Sequence, residues 1–194
     1  MKGFPLLRVF LLVLLIIDTV FLMSIGGCAK YSEEVQANLT RLETTKSCPG
    51  CNLTGVELMK FDLTGVNLAR ANLTNANLSR ANLTDADLTD ANLSNAILTN
   101  TILVKTKIIN TNLNNVKLSY ANINGSEIFN SSFIGAHLNS SKIVNSKISN
   151  SDMTGSNLYK ADLTRTQLTN VNFHDTVFCK TLMPSGLDNS GCKG

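Results

Sequence analysis

Charge is scarce in this chain. Only 16% of its 194 residues are Asp, Glu, Lys or Arg, and the formal net charge is +3. That balance excludes a strongly basic nucleic-acid binder and an acidic polyanion mimic. Histidine occurs twice, as His137 and His174, neither with a repeated partner. There is no glycine-rich phosphate loop and no Ser/His/Asp nucleophile set, so the sequence marks no catalytic centre and calls for no cofactor. Asp85, Asp87 and Asp90 cluster, but in the manner of a solvated face. Disorder is also excluded, because it needs high net charge and few apolar residues, whereas 43% of this chain is apolar. The length suits one domain with a targeting segment. What is abundant is an unusual pair, 28 Leu and 24 Asn. Asn is a poor former of both helices and strands, so the pair asks for a regular arrangement that uses both.

Residues 1–27 read as a signal peptide. Lys2 and Arg8 form a short basic region, and the apolar runs Val9–Ile17 and Val20–Ile25 follow. Asp18 interrupts them. An acid at the centre of a membrane helix costs about 2.5–3.5 kcal/mol, which weighs against a permanent anchor. Ile25-Gly26-Gly27-Cys28 resembles the bacterial lipobox, which makes Cys28 the expected lipidation site and new N-terminus. Ordinary cleavage after Ala29 and an uncleaved signal anchor are the alternatives. Either cleavage leaves four thiols, Cys48, Cys51, Cys179 and Cys192. Four thiols in an exported protein suggest two disulfides, with three connectivities open.

From residue 51 onward one rule holds. Ala71-Asn72-Leu73-Thr74-Asn75, Ala76-Asn77-Leu78-Ser79-Arg80 and Ala81-Asn82-Leu83-Thr84-Asp85 are successive units of five. With the Leu as centre, the series runs from Leu53 to Phe178 without insertion, and all 26 centres are apolar. Two residues before each centre stands a compact residue, mostly Ala, Ser, Thr or Val; Cys51 and Phe61 are exceptions. Steps of five spiral around an α-helix and alternate faces on a strand. Each unit must therefore contain its own bend, with one large and one small residue inward, as in a coiled solenoid.

These units resemble the pentapeptide-repeat family, whose pattern is A(D/N)Lxx. The resemblance covers residues 51–180 and implies an all-β solenoid, a right-handed quadrilateral β-helix with four units per coil. Twenty-six units then make 6.5 coils, roughly 31 Å at ~4.8 Å per strand spacing. The expected stacks include Asn52, Asn72, Asn92 and Asn112, whose amides are expected to bond between coils, and Lys107, Glu127 and Lys147 with alternating charge.

An open solenoid needs caps. Ser32-Glu33-Glu34 suits a helix start, and Val35, Leu39 and Leu42 share one face, so residues 28–50 are expected to hold a linker and a helix from about 33 to 45. Phe61, Val56 and Val66 are expected to thicken the core beneath it. Cys48-Pro49-Gly50-Cys51 suits a structural disulfide; the redox reading lacks a thioredoxin-like setting, and reduced thiols remain an alternative. Exported members of the family commonly carry Cys-bracketed tails, which implies a disulfide-closed cap over residues 181–194 around the turn Met183–Gly186. In the implied coil Cys51 and Cys179 stand roughly 30 Å apart, so 48–51 with 179–192 is the expected connectivity, and no tetrahedral metal site can form from both pairs.

Some members of the family inhibit gyrase by presenting a negatively charged, DNA-like surface. Residues 51–180 carry 11 basic against 9 acidic residues, and export would separate the protein from gyrase, so that role is disfavoured here. Ile97, Ile102, Val104, Ile109, Phe129, Ile134 and Val144 occupy outward positions and form the candidate interaction patch. Thr54, Thr74 and Ser94 form a partial hydroxyl stack, a weaker candidate for a surface-binding array. The expected role is a non-catalytic exported scaffold of the bacterial cell envelope, protein-binding or structural. Its expected contacts are an unidentified protein and the membrane, through a lipid or signal anchor, but not nucleic acid.

Overall fold

The structure, a computed structural model, describes residues 30–192. Helix α1, Glu33–Thr45, follows Ser32 and buries Val35, Leu39 and Leu42. Their spacing gives the helix one apolar stripe, and that stripe closes the N-terminal end of the coil. The seat is polar at its margin: Asn38 Nδ2 donates to the Asn52 carbonyl at 3.0 Å, and Asn52 Nδ2 donates to Glu34 at 3.4 Å.

Beyond α1 the chain winds as a right-handed quadrilateral β-helix. Parallel bridges join residues twenty apart on every side, from Ser47↔Asn67 to Asp162↔Leu182. One side is regular enough to form strands: β1 (Lys107–Ile109), β2 (Glu127–Phe129), β3 (Lys147–Ser149) and β4 (Gln167–Thr169), stacked in that order as a parallel sheet. We number the sides by their centres. Side one runs from Leu53 to Phe173 in steps of twenty, side two from Leu58, side three from Leu63 and side four from Cys48.

The bends have a uniform cause. Every corner residue from Gly50 to Lys180 has φ between 50° and 69°, the left-handed region. Gly enters it without penalty, and Asn and Asp tolerate it. Where an Asn or Asp precedes the centre, it commonly accepts the amide two residues on: Asn72 from Thr74 at 3.1 Å, Asp87 from Thr89 at 2.9 Å, Asn157 from Tyr159 at 2.9 Å. This corrects the expected amide ladder. The Oδ1 atoms of Asn52, Asn72, Asn92 and Asn112 are engaged within their own turns, because that donor is nearer than the next coil. Side-chain amides do bridge coils elsewhere: at a corner Asn110 donates to Asp90 at 3.0 Å and Asn170 to Asn150 at 3.1 Å, and on the rungs Asn172 donates to Thr154 at 2.9 Å, Asn77 to Glu57 at 2.8 Å and Asn82 to Thr64 at 2.8 Å.

Centres from Leu53 to Leu163 are at most 4% exposed, so the large inward slot is filled throughout. The small slot changes chemistry midway. Ala dominates it from Ala71 to Ala96, and hydroxyls dominate after Thr101. Most inward hydroxyls reach back 23 residues to a carbonyl one coil below. Thr106 bonds Leu83 at 2.9 Å, Thr111 bonds Leu88 at 2.8 Å, and Ser131 bonds Ile108 at 2.9 Å. Pairing of this kind offsets the cost of burying a hydroxyl. Among the described residues, Ser141 and Ser156 are buried hydroxyls without a partner.

The stacking begins one unit before Leu53. Cys48 is fully buried in a centre slot, its amide bonding the Asn67 carbonyl at 2.8 Å, and it is joined to Cys51 with Cα atoms 5.4 Å apart. Phe61 departs from expectation. It stays 38% exposed while Val56 and Val66 are fully buried, because its ring exceeds a slot shaped for Ala or Val. At the far end the core loosens, with Leu168, Phe173 and Phe178 only half-buried and the two Phe rings edge-to-face at 5.3 Å. Thr181 and Met183 continue the five-residue series, so β5 (Thr181–Met183) lies on side three before turning into β6 (Gly186–Asp188). Cys179–Cys192 ties this hairpin down, with Cα atoms 4.6 Å apart.

The hydroxyl pattern makes opposite predictions for similar substitutions. Ser156→Ala removes an unpaired buried hydroxyl and should raise stability by about 1 kcal/mol, whereas Thr106→Val should lower it by about 1 kcal/mol. Urea denaturation of both variants beside the wild type checks the signs.

Candidate interaction surfaces

With two of every five residues packed inside, chemistry is left to three outward columns per side: the residue before the centre, the residue after it and the corner. These columns place the seven apolar candidates on four different sides. Ile97 lies on side two; Ile102, Val104 and Val144 on side three; Ile109 and Phe129 on side four; Ile134 on side one. They do not form one patch, because each advance of five residues turns the chain onto the next side. The structure brings together Ile109 and Phe129, direct register partners on β1 and β2. Phe129, Ile102 and Ile134 are 40%, 40% and 42% exposed, and the other four are half-buried.

Lys107, Glu127 and Lys147 stand in register on the same sheet, beside Ile109 and Phe129. Asp87 occupies the rung before Lys107. Burial pushes its carboxyl up, but hydrogen bonds from Thr89 and the charge of Lys107 outweigh that and hold it below the ordinary value. Asp62 is held down by the Thr64 hydroxyl and amide, with Lys46 3.8 Å away.

The remaining candidates are dispersed. His174 faces Asp175 at 3.2 Å on side one, and His137 lies on side two. Among the described residues no group of three or more His, Cys, Asp or Glu side chains is arranged to hold a metal, and no helix is long and apolar enough to cross a membrane. The hydroxyls of Thr54 and Thr74 turn toward Asn52 and Asn72 at 2.9 and 2.6 Å, and Asn114 and Ile134 break their column. Cys28 lies outside the described residues.

The coil also sorts charge in a way the linear sequence hides. Over residues 51–180, side two carries Lys60, Arg80, Lys117, Lys160 and Lys180 against Glu57, a net of +4. Side one carries Asp152 and Asp175, a net of −2, while sides three and four each balance three cations against three acids. Reading every twentieth residue of the sequence is the signal that finds this.

The family described as Pentapeptide repeats matches residues 62–100, 136–175 and 146–183, with eight copies. Among solved structures, HetL, involved in heterocyst differentiation regulation in the cyanobacterium Nostoc sp. strain PCC 7120, is 19% identical; the match covers 81% of this chain and 99% of that one, with a TM-score of 0.39. A pentapeptide repeat protein from the Arabidopsis thaliana thylakoid lumen is 23% identical over 68% of this chain and 72% of its own, with a TM-score of 0.41. QnrB1, a plasmid-mediated fluoroquinolone resistance protein, is 17% identical over 76% and 81%, with a TM-score of 0.41. No curated protein sequence matches the chain.

Side four supplies a direct test of the rung register. Glu127→Lys sets three like charges side by side and should cost about 0.5–1 kcal/mol at low salt. Denaturation in high salt should recover most of that loss, since screening weakens exposed charge pairs.

Proposed function

Because this chain belongs to the pentapeptide-repeat family, we propose that it is a non-catalytic scaffold of the bacterial cell envelope. In this reading it is exported by its leader and displays its outward columns to a protein or structural partner. The observation that carries the reading is the pair of disulfides, one at each end of the coil. Such bonds persist in oxidising compartments and are rare where thiols are kept reduced. The leader motif at Ile25–Cys28 supports the same address and favours a lipid-anchored form. Packing supports the scaffold role: among the described residues the core is one coil wide and filled by side chains, so recognition falls to the outside. A gyrase-directed DNA mimic is disfavoured, since the most strongly charged side is basic.

Labelling cells that produce the protein with palmitate tests the address. Label should enter the wild type and be lost in Cys28→Ala. Equal labelling of both, or of neither, contradicts the lipid-anchored form. Alkylation of intact cells should find Cys48, Cys51, Cys179 and Cys192 protected until a reductant is added; free thiols there contradict export.

A further inference from the structure

The edge that closes side two departs from the corner preference more than the other three, whose only exceptions are Arg70, Lys105 and Arg165. Its corner column reads Lys60, Arg80, Asn100, Tyr120, Ser140, Lys160 and Lys180, and every one is in the left-handed region, Lys60 at φ 64°, Arg80 at 62° and Tyr120 at 61°. That backbone favours Gly and tolerates Asn or Asp, and long or bulky side chains resist it. The corner after side one obeys the preference throughout, with only Gly, Asn and Asp from Gly55 to Asp175. On the edge after side two, only Asn100 obeys it. Folding alone would be served better by Asn at these positions, so the cations and Tyr120 sit there against the local preference of the backbone. Residues held against such a preference are where function is to be sought.

The same edge gathers exposed apolar groups. Met59, Phe61 and Tyr120 are 46%, 38% and 60% exposed on or beside the corner, and Ile102, Val177 and Leu182 flank it. Lys160 lies over the Tyr159 ring at 5.1 Å, and the ion pairs among the described residues involve none of the edge cations. Lys60 and Lys180 are six coils apart, about 29 Å at ~4.8 Å per coil. Pairs of cations at the two ends of one edge, with exposed aromatic and aliphatic groups beside and between them, match a bilayer interface, where anionic headgroups meet the boundary of the acyl chains.

We propose that this edge lies along an anionic lipid surface, its four corner cations against headgroup phosphates and its exposed apolar side chains at the headgroup–acyl boundary. A soluble polyanion would use the cations and leave Met59, Phe61 and Leu182 without a role, so the lipid is favoured. The proposal rests on the envelope reading for its compartment only; lipid binding is testable without it.

The test is co-flotation of the full-length chain with vesicles of phosphatidylglycerol and phosphatidylcholine, compared with phosphatidylcholine alone. The leader adds to binding in both, so the readout is the preference for anionic vesicles. In the wild type that preference should be strong and should collapse at 0.5 M salt, an ionic strength chosen to bring the screening length to roughly 4 Å. Lys60→Asn, Arg80→Asn, Lys160→Asn and Lys180→Asn combined should reduce it by at least about 30-fold, since each cation near an anionic surface contributes appreciably. Either half of the set should reduce it about fivefold, which keeps the reading available if the full combination folds poorly. Asn suits the left-handed corner, so thermal stability should be unchanged or higher. A charge-matched control, Arg70→Asn, Lys105→Asn, Lys147→Asn and Arg165→Asn on other parts of the coil, should change the preference less than about threefold. Equal losses in the two sets would overturn the proposal in favour of net charge. Capture of soluble heparin without anionic vesicle preference would overturn it in favour of a polyanion.

Discussion

The coil depends on backbone amides finding carbonyls one coil along. The Leu53 amide bonds the Asn72 carbonyl, the Asn72 amide bonds the Cys51 carbonyl, and the same alternation continues to Leu163 and Leu182. This condition can be met only if every coil has the same length. Twenty residues per coil, in four units of five, is therefore a constraint imposed everywhere at once, and a one-residue insertion would turn all later side chains away from their slots. Buried amides without partners are too costly to permit that. The unbroken series of apolar centres is the sequence trace of this requirement.

Two further features follow from it. Four bends per coil need left-handed corners, and an Asn or Asp before the centre, where present, stabilises the approach to the bend by capturing the amide two residues later. That accounts for the joint excess of Leu and Asn better than stacking between coils does. Second, the interior is too narrow for a cavity, so its variation is confined to the small slot. There the shift from Ala to paired hydroxyls adds bonds between coils in the C-terminal half, where the core is less well covered at its end.

Much of this was legible in the sequence because period five with a fixed inward residue has few physical solutions. The helix over α1 was legible from the spacing of Val35, Leu39 and Leu42. The limits are equally physical. Cys48 fills a centre slot without looking like one, because its thiol, unlike Leu, reads first as a disulfide partner. Phe61 occupies a small slot by number but not by volume. The seven apolar candidates fell in one linear window, yet each five-residue step changed the side, so only Ile109 and Phe129 came together. The basic edge is hidden in the linear sequence for the converse reason: its residues are twenty apart in sequence and neighbours in space.

The register itself is the claim on which the rest stands, and disulfide trapping reads it directly. Cys substituted at Asn72 and Asn92, which pair across neighbouring coils, should close a bond under mild oxidation of the folded protein. Cys at Asn72 and Asp87, closer in sequence but on adjoining sides, should stay reduced. Peptide mapping without reductant that finds the first link and not the second is the predicted result; finding the second, or neither, would contradict a coil of twenty residues and every surface assigned from it.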